Sequence, residues 1–166
     1  MIIIGYPGIG KSTLAGRDHK YIDLESSNFK VNGERSEDWY KVYCKVAEDL
    51  SRQGYIVFVS CHSVVREALK GSEEDVAVVC PIGSLEKRWI TKLRYRYEKT
   101  NTDKDRMAYE RARDHYGEDI VNMFNYPTRY QVWLTTMAYD LESEIIRMIN
   151  HDALNGIDEQ YERVKL

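Results

Sequence analysis

The chain begins MIIIGYPGIGKSTLAG, an unbroken apolar run that passes straight into three glycines, a lysine and two hydroxyl residues. Met1 to Ile4 have the composition of a short strand buried on both faces, as at the centre of a parallel sheet, and Gly5 ends it. From Gly5 to Ser12 the order is G-x-x-x-x-G-K-S, with a helix-forming stretch behind it. Glycines let the backbone curl so that successive N–H groups point inward at phosphate oxygens, and the following helix adds its positive end. Lys11 is then placed for the β and γ phosphates, Ser12 for Mg²⁺ and Thr13 for the α phosphate. Gly5, Tyr6, Pro7, Gly8, Ile9, Gly10, Lys11, Ser12 and Thr13 are therefore the candidate ATP-binding residues, with ATP and Mg²⁺ as the expected cofactors.

A strand that must be buried on both sides needs parallel neighbours and crossover helices, and the rest of the chain supplies that alternation. Apolar runs recur at Tyr21–Leu24, Tyr55–Val59, Val76–Cys80 and Tyr130–Leu134. Between them lie helical patterns. One runs from Ser36 to Gly54 with a stripe of Trp39, Val42, Tyr43, Val46 and Leu50, a short one follows at Val64–Leu69, and a charged one is capped by Ser84 with Leu85, Trp89, Leu93 and Tyr97 in line. A further helix is predicted from Asp103 to Tyr116, residues 118–128 are ambiguous, and Ala138, Leu141, Ile145 and Met148 line a closing helix. The last dozen residues are polar and are expected to fray.

Composition narrows the function classes. With 166 residues, 43% of them hydrophobic and 31% charged, the chain fits a single α/β domain, 1–166. A net charge of −3 argues against a general basic surface for nucleic acid or acidic lipid. Cys44, Cys61 and Cys80 are odd in number and lack CxxC spacing, which suits reduced thiols and a cytoplasmic setting. No run approaches the roughly 18 apolar residues of a membrane span, so no membrane partner is expected. No NKxD-type stretch and no apolar strand ending in Asp-Glu is present, which sets guanine-nucleotide switches and motor ATPases behind a kinase.

The phosphate loop, the FVSCHSVVREALK stretch and the charged helix after VAVVCP together resemble the small P-loop kinases, the group that includes nucleoside monophosphate, shikimate and gluconate kinases. DLESS is similar to stretches in phage nucleotide-kinase-like proteins. The resemblance implies a three-layer P-loop NTPase fold, a five-stranded parallel sheet in the order 2-3-1-4-5, and a helical lid over residues 84–128. It also implies an acceptor held between the second strand, the third strand and the lid.

Asp23, at the end of the second strand, would then orient or deprotonate the acceptor or join the magnesium shell with Ser12. Glu25 shares its face and is a rival, while Ser26, Ser60 and His62 stand where substrate contacts would fall. Each has a plain structural alternative: turn-forming serines, and a histidine satisfied within the fold. Arg66 reads either as a clamp on an acceptor phosphate or carboxylate or as a surface residue paired with Glu67. Arg88 and Arg96 are the preferred lid arginines for spreading transition-state charge, with Arg111 and Arg113 behind them. The expected activity is transfer of the γ-phosphate of ATP to a small acceptor, first a (deoxy)nucleotide or nucleoside. A hydroxylated metabolite such as a sugar acid is the alternative acceptor, and an ATP-binding regulatory protein or a polynucleotide end kinase the alternative class. A monomer or homodimer is expected.

Overall fold

The computed structural model describes residues 1–30, 32 and 34–151; the expected fraying of the last dozen residues falls outside them. Five strands form one parallel sheet: β1 (Ile2–Gly5), β2 (Tyr21–Asp23), β3 (Ile56–Val59), β4 (Val76–Pro81) and β5 (Tyr130–Leu134), in the order β2-β3-β1-β4-β5. That is the order the resemblance implies. β1 lies at the centre, with Ile3 opposite Phe58 on one side and Ala77 on the other. Every residue of β1, β3 and β4 is buried, which a sheet achieves only when helices cover both faces. β5 alternates buried and half-buried positions, as an edge strand does.

Among the described residues six helices connect and cover the strands: α1 (Lys11–Ala15), α2 (Trp39–Arg52), α3 (Ser63–Leu69), α4 (Glu86–Thr100), α5 (Asp103–Phe124) and α6 over residues 141–151. α2 begins three residues after Ser36 and buries Tyr43, Cys44, Ala47 and Ser51, whereas Val42 remains 60% exposed. The buried stripe is therefore rotated from the expected one, because small Ala47 and the tyrosine at 43 fit closest to the sheet. Ser84 does not cap α4. A 3₁₀ turn over Gly83–Leu85 intervenes, and Leu85 takes the cap position without a side-chain bond.

α4 and α5 form a hairpin. Asn101, in the left-handed conformation at φ 49°, ends α4, and Thr102 accepts a hydrogen bond from the Asp105 amide to start α5. Arg96 pairs with the buried Asp105 at 2.7 Å, and Thr100 donates to the same carboxylate at 2.6 Å. α5 runs well past Tyr116, but it bends at His115, whose φ of −137° and ψ of 16° are not helical. Beyond the bend Ile120 and Met123 are buried, so the segment ambiguous in sequence is helical up to Phe124 because the core takes one side of it.

Tyr43 ties this frame to the sheet edge where ligands of an open α/β fold bind. Fully buried, its hydroxyl donates to the Leu24 carbonyl at 2.7 Å and accepts from the Ser60 amide at 2.8 Å, bridging the chain beyond β2 to the chain beyond β3. Tyr43→Phe leaves a buried carbonyl and a buried amide without partners and should cost about 2 kcal/mol in urea unfolding. An unchanged midpoint would show that the bridge carries no stability.

Candidate active site at the carboxyl edge of the sheet

The segment after β1 turns tightly enough to leave its side chains on two levels. Gly8 and Gly10 have φ of 86° and 101°, a region that favours glycine. Tyr6 and Ile9 are each 1% exposed and face the core, while Ser12 and Thr13 are exposed toward the crevice. Tyr6 meets Tyr116 edge to face at 5.7 Å. From above, the Trp89 indole donates to the Pro7 carbonyl at 2.9 Å, and Tyr139 donates to the Gly8 carbonyl at 3.4 Å. A Cβ at Gly8 would lie 3.0 Å from Leu93 and 3.4 Å from the Trp89 ring, so α4 rests directly on the loop.

Lys11 is half-buried, and its ammonium turns inward to the carbonyls of Gly5 at 2.9 Å and Tyr6 at 3.4 Å. Burial lowers its pKa, opposed first by the charge of Asp23. Ser12 donates its hydroxyl to an Asp23 oxygen at 2.5 Å. A hydroxyl and a carboxylate side by side at the mouth of a phosphate loop suit a magnesium ion that takes its other ligands from phosphate and water. Among the described residues no cluster of three or more His, Cys, Asp or Glu forms an all-protein metal cage.

A second group of residues comes from the segments that follow β2 and β3 and from the starts of α2 and α5. Glu25 is ion-paired with Lys104 at the start of α5, and Lys104 in turn acts on the charge of Lys11. Ser26 is buried and accepts a hydrogen bond from Arg35 at 2.8 Å. The Arg35 guanidinium lies 4.4 Å from the Trp39 ring centre, and its Nε is buried without a hydrogen-bond partner among the described residues. His62 meets Trp39 edge to face at 5.7 Å. Burial against that ring, then the positive charges of Arg35, Arg111 and Arg66, lower the pKa of His62, with Asp119 opposing. The Ser60 hydroxyl is buried with no partner.

The structure thus gathers Lys11, Ser12, Asp23, Glu25, Ser60, His62 and Arg66 along one edge. Arg88 is exposed on α4 and makes no hydrogen bond or ion pair among the described residues, and Arg96 is committed to Asp105. Arg35 and Lys104 were not singled out in sequence, and Arg111 was named only behind Arg88 and Arg96. Nothing in their spacing marks them, because each arrives through the fold rather than beside a motif. Two further basic residues of α4 are engaged within the fold: Arg94 pairs with Glu98 at 3.7 Å, and Lys92 folds over the Trp89 ring at 4.3 Å.

These features define a three-layer α/β P-loop fold with a crevice at the carboxyl edge of its sheet. No family model matches the chain, and no curated protein matches it. Among solved structures it is similar to the 1.7 Å crystal structure of shikimate kinase from Bacteroides thetaiotaomicron, at 12% identity over 89% of this chain and 94% of that one, with a TM-score of 0.48. A likeness at that level adds nothing to what the strand order and the phosphate loop already define. No helix among the described residues is long and apolar enough to cross a membrane.

Two results are expected of the loop. A Cβ at Gly5 would lie 2.7 Å from Ile9 Cδ1 and 2.8 Å from Lys11 Cδ, both movable side-chain ends. Gly5→Ala should therefore fold but displace the Lys11 ammonium, weakening ATP by about tenfold or more while costing roughly 1–3 kcal/mol of stability. Equal ATP affinity by calorimetry would show that the lysine has room to spare. Lys11 has a folded pKa below the ordinary 10.5, so the stability it costs is fully present below that folded pKa and is recovered as pH rises through it toward 10.5. Lys11→Met should be more stable than the native chain at low pH, by a margin that narrows as pH rises toward 10.5. A constant margin would mean that the ammonium is not desolvated.

Proposed function

We propose that the protein is an ATP-dependent, Mg²⁺-requiring phosphotransferase acting on a small acceptor that carries a fixed negative charge. The observation that carries this reading is the hydrogen bond from Ser12 to Asp23. A phosphate loop without a carboxylate at its hydroxyl would suit a protein that only holds nucleotide, and no acid ends β3, the strand beside β1. Here Asp23 reaches that position from β2. Magnesium held there would neutralise and orient the donor phosphates.

The residues of the chain then divide the work. Gly5 to Thr13 wrap the donor phosphates, and Lys11 exchanges its two backbone carbonyls for phosphate oxygens. Asp23 faces Ser12 and belongs to the metal side rather than to the acceptor hydroxyl. The acceptor's anion is met by Arg66 with Arg35 and Arg111, whose charges converge on His62. The α4–α5 hairpin stands over this edge as the lid, residues 84–128, and excludes water from the transferred group.

An acceptor phosphate is already a nucleophile and needs no base, which fits Asp23 being engaged elsewhere and favours a nucleotide. His62 favours a second reading. Its lowered pKa keeps the imidazole neutral at neutral pH, the form that can take a proton from the hydroxyl of a small acid.

The test is transfer of label from γ-labelled Mg·ATP to a panel of nucleoside monophosphates, nucleosides, sugar acids and oligonucleotides, with Lys11→Ala as control. Label on an anionic small molecule is expected, and label on none of them despite tight ATP binding would overturn the reading. With the acceptor in hand, Arg66→Ala should raise its KM by about tenfold or more and change kcat less. Equal loss in both would place Arg66 outside acceptor binding.

A further inference from the structure

α5 carries an ion pair that no ordinary helix allows. Arg111 and Asp119 stand eight residues apart, about 12 Å along a straight helix, whereas side chains that meet on a helix surface stand three or four apart. Here Nε and Nη2 of Arg111 donate to the two Asp119 oxygens at 2.9 and 2.5 Å. The bend at His115 lies midway between them and closes the distance. Gly117, which lacks a side chain to brace the next turn, follows two residues later.

The two partners differ in exposure. The Asp119 side chain is 5% exposed and that of Arg111 is 54% exposed. A buried carboxylate requires a cation, and the hydrogen bonds of Asp119 among the described residues all come from Arg111, so the arginine is not free to wander. The grip is side-on. It occupies Nε–H and one hydrogen of Nη2, and it leaves both hydrogens of Nη1 and the second of Nη2 for another oxygen. One residue past the bend, Tyr116 packs edge to face on Tyr6 at 5.7 Å, so the part of α5 that holds the Arg111 guanidinium lies against the phosphate loop, and its positive charge acts on Tyr6 and on His62 beyond β3.

We propose that Asp119 is a positioning residue: from below the bend at His115 it aims Arg111 at the junction of phosphate loop and acceptor wall, where Arg111 receives the charge of the phosphoryl group in transfer. This rests on the phosphotransferase reading above. It also moves the charge-spreading role from Arg88 and Arg96 to a residue across the hairpin. The bend in α5 becomes part of the site, since a straight helix would separate the pair.

The test uses the full chain and needs no knowledge of the acceptor. Calorimetry measures the binding of Mg·ADP with and without fluoroaluminate, a planar mimic of the phosphoryl group in flight, to the native protein, Asp119→Asn, Arg111→Ala and the double variant. The proposal expects native affinity for Mg·ADP throughout. The gain from fluoroaluminate should fall at least tenfold in each single variant, and the double variant should be no worse than Arg111→Ala. Arg111→Ala leaves a buried carboxylate unpaired; should it fail to fold, the double variant, which removes both charges, is compared directly with Asp119→Asn and should match it. If the pair only stitches the bend, the variants lose thermal stability while the fluoroaluminate gain stays native, and the proposal is overturned. Losses that multiply in the double variant, or a native protein that binds Mg·ADP without any gain from fluoroaluminate, overturn it as well. A native protein that binds no Mg·ADP would sink the phosphotransferase reading itself.

Discussion

The site hangs on the burial of β1. Ile2, Ile3 and Ile4 are wholly inaccessible, and each side chain removed from water contributes about 1.5–3 kcal/mol. Because β1 pairs in parallel with β3 and β4, its carboxyl end is fixed from both sides, and the chain leaves it with little freedom. Tyr6 and Ile9 extend the same burial into the turn. A loop with glycine at positions 5, 8 and 10 would otherwise lose much backbone entropy on taking one shape. Fixed below by those two side chains and above by Trp89 and Tyr139, it keeps its inward amides ordered before any ligand arrives.

That order has an electrostatic cost which the surrounding charges divide. Lys11 is desolvated, and its ammonium is met by two carbonyls, with Asp23 as the largest favourable charge. Asp23 in turn is held to Ser12, so one carboxylate serves both the hydroxyl and the lysine. Across the crevice the sign reverses: Arg35, Arg66 and Arg111 act on one histidine, with Asp119 as counter-charge. Fixed groups of this kind favour charge that develops between them, since they need no reorganisation when it appears. One side of the crevice is cationic and the other carries Asp23, a division that, on the reading proposed above, suits an anion approaching a metal-bound phosphate.

Sequence and structure agree most where burial dictates pattern. The five strands are visible as apolar runs because a strand buried on both faces has no room for polar residues, and Gly5 to Thr13 are visible because a phosphate loop is local in the chain. The acceptor side was legible only in part. Asp23, His62 and Arg66 follow strands directly and could be placed by topology, but their partners come from distant segments. Arg35 belongs to a loop without periodicity, and Lys104 and Arg111 owe their positions to the length of α4, the turn at Asn101 and the bend at His115. Arg88 drew attention from its place on a charged helix, yet the face of α4 that meets the loop is the one carrying Trp89 and Leu93. The bend itself has no sharp mark in sequence beyond Gly117, and without it the pairing of residues 111 and 119 looks impossible.

The hairpin is attached to the rest of the protein unevenly, and that limits how a crevice beneath it can open. At the foot of α4, Trp89 is fully buried and bonded to the phosphate loop, and at the foot of the bend Tyr116 donates to the Ile82 carbonyl at 2.9 Å while packing on Tyr6. Lifting either foot would expose a large aromatic side chain and orphan a carbonyl, at several kcal/mol in all. At the tip the contact is the pair of Lys104 and Glu25, with side chains 55% and 30% exposed, and an exposed ion pair contributes only about 0–1 kcal/mol. Separation at the tip is therefore far less costly than separation at the feet. An opening that begins there would leave the loop after β1 intact under Trp89 while uncovering Glu25; on the phosphotransferase reading proposed above, an acceptor could then exchange while the donor stays held.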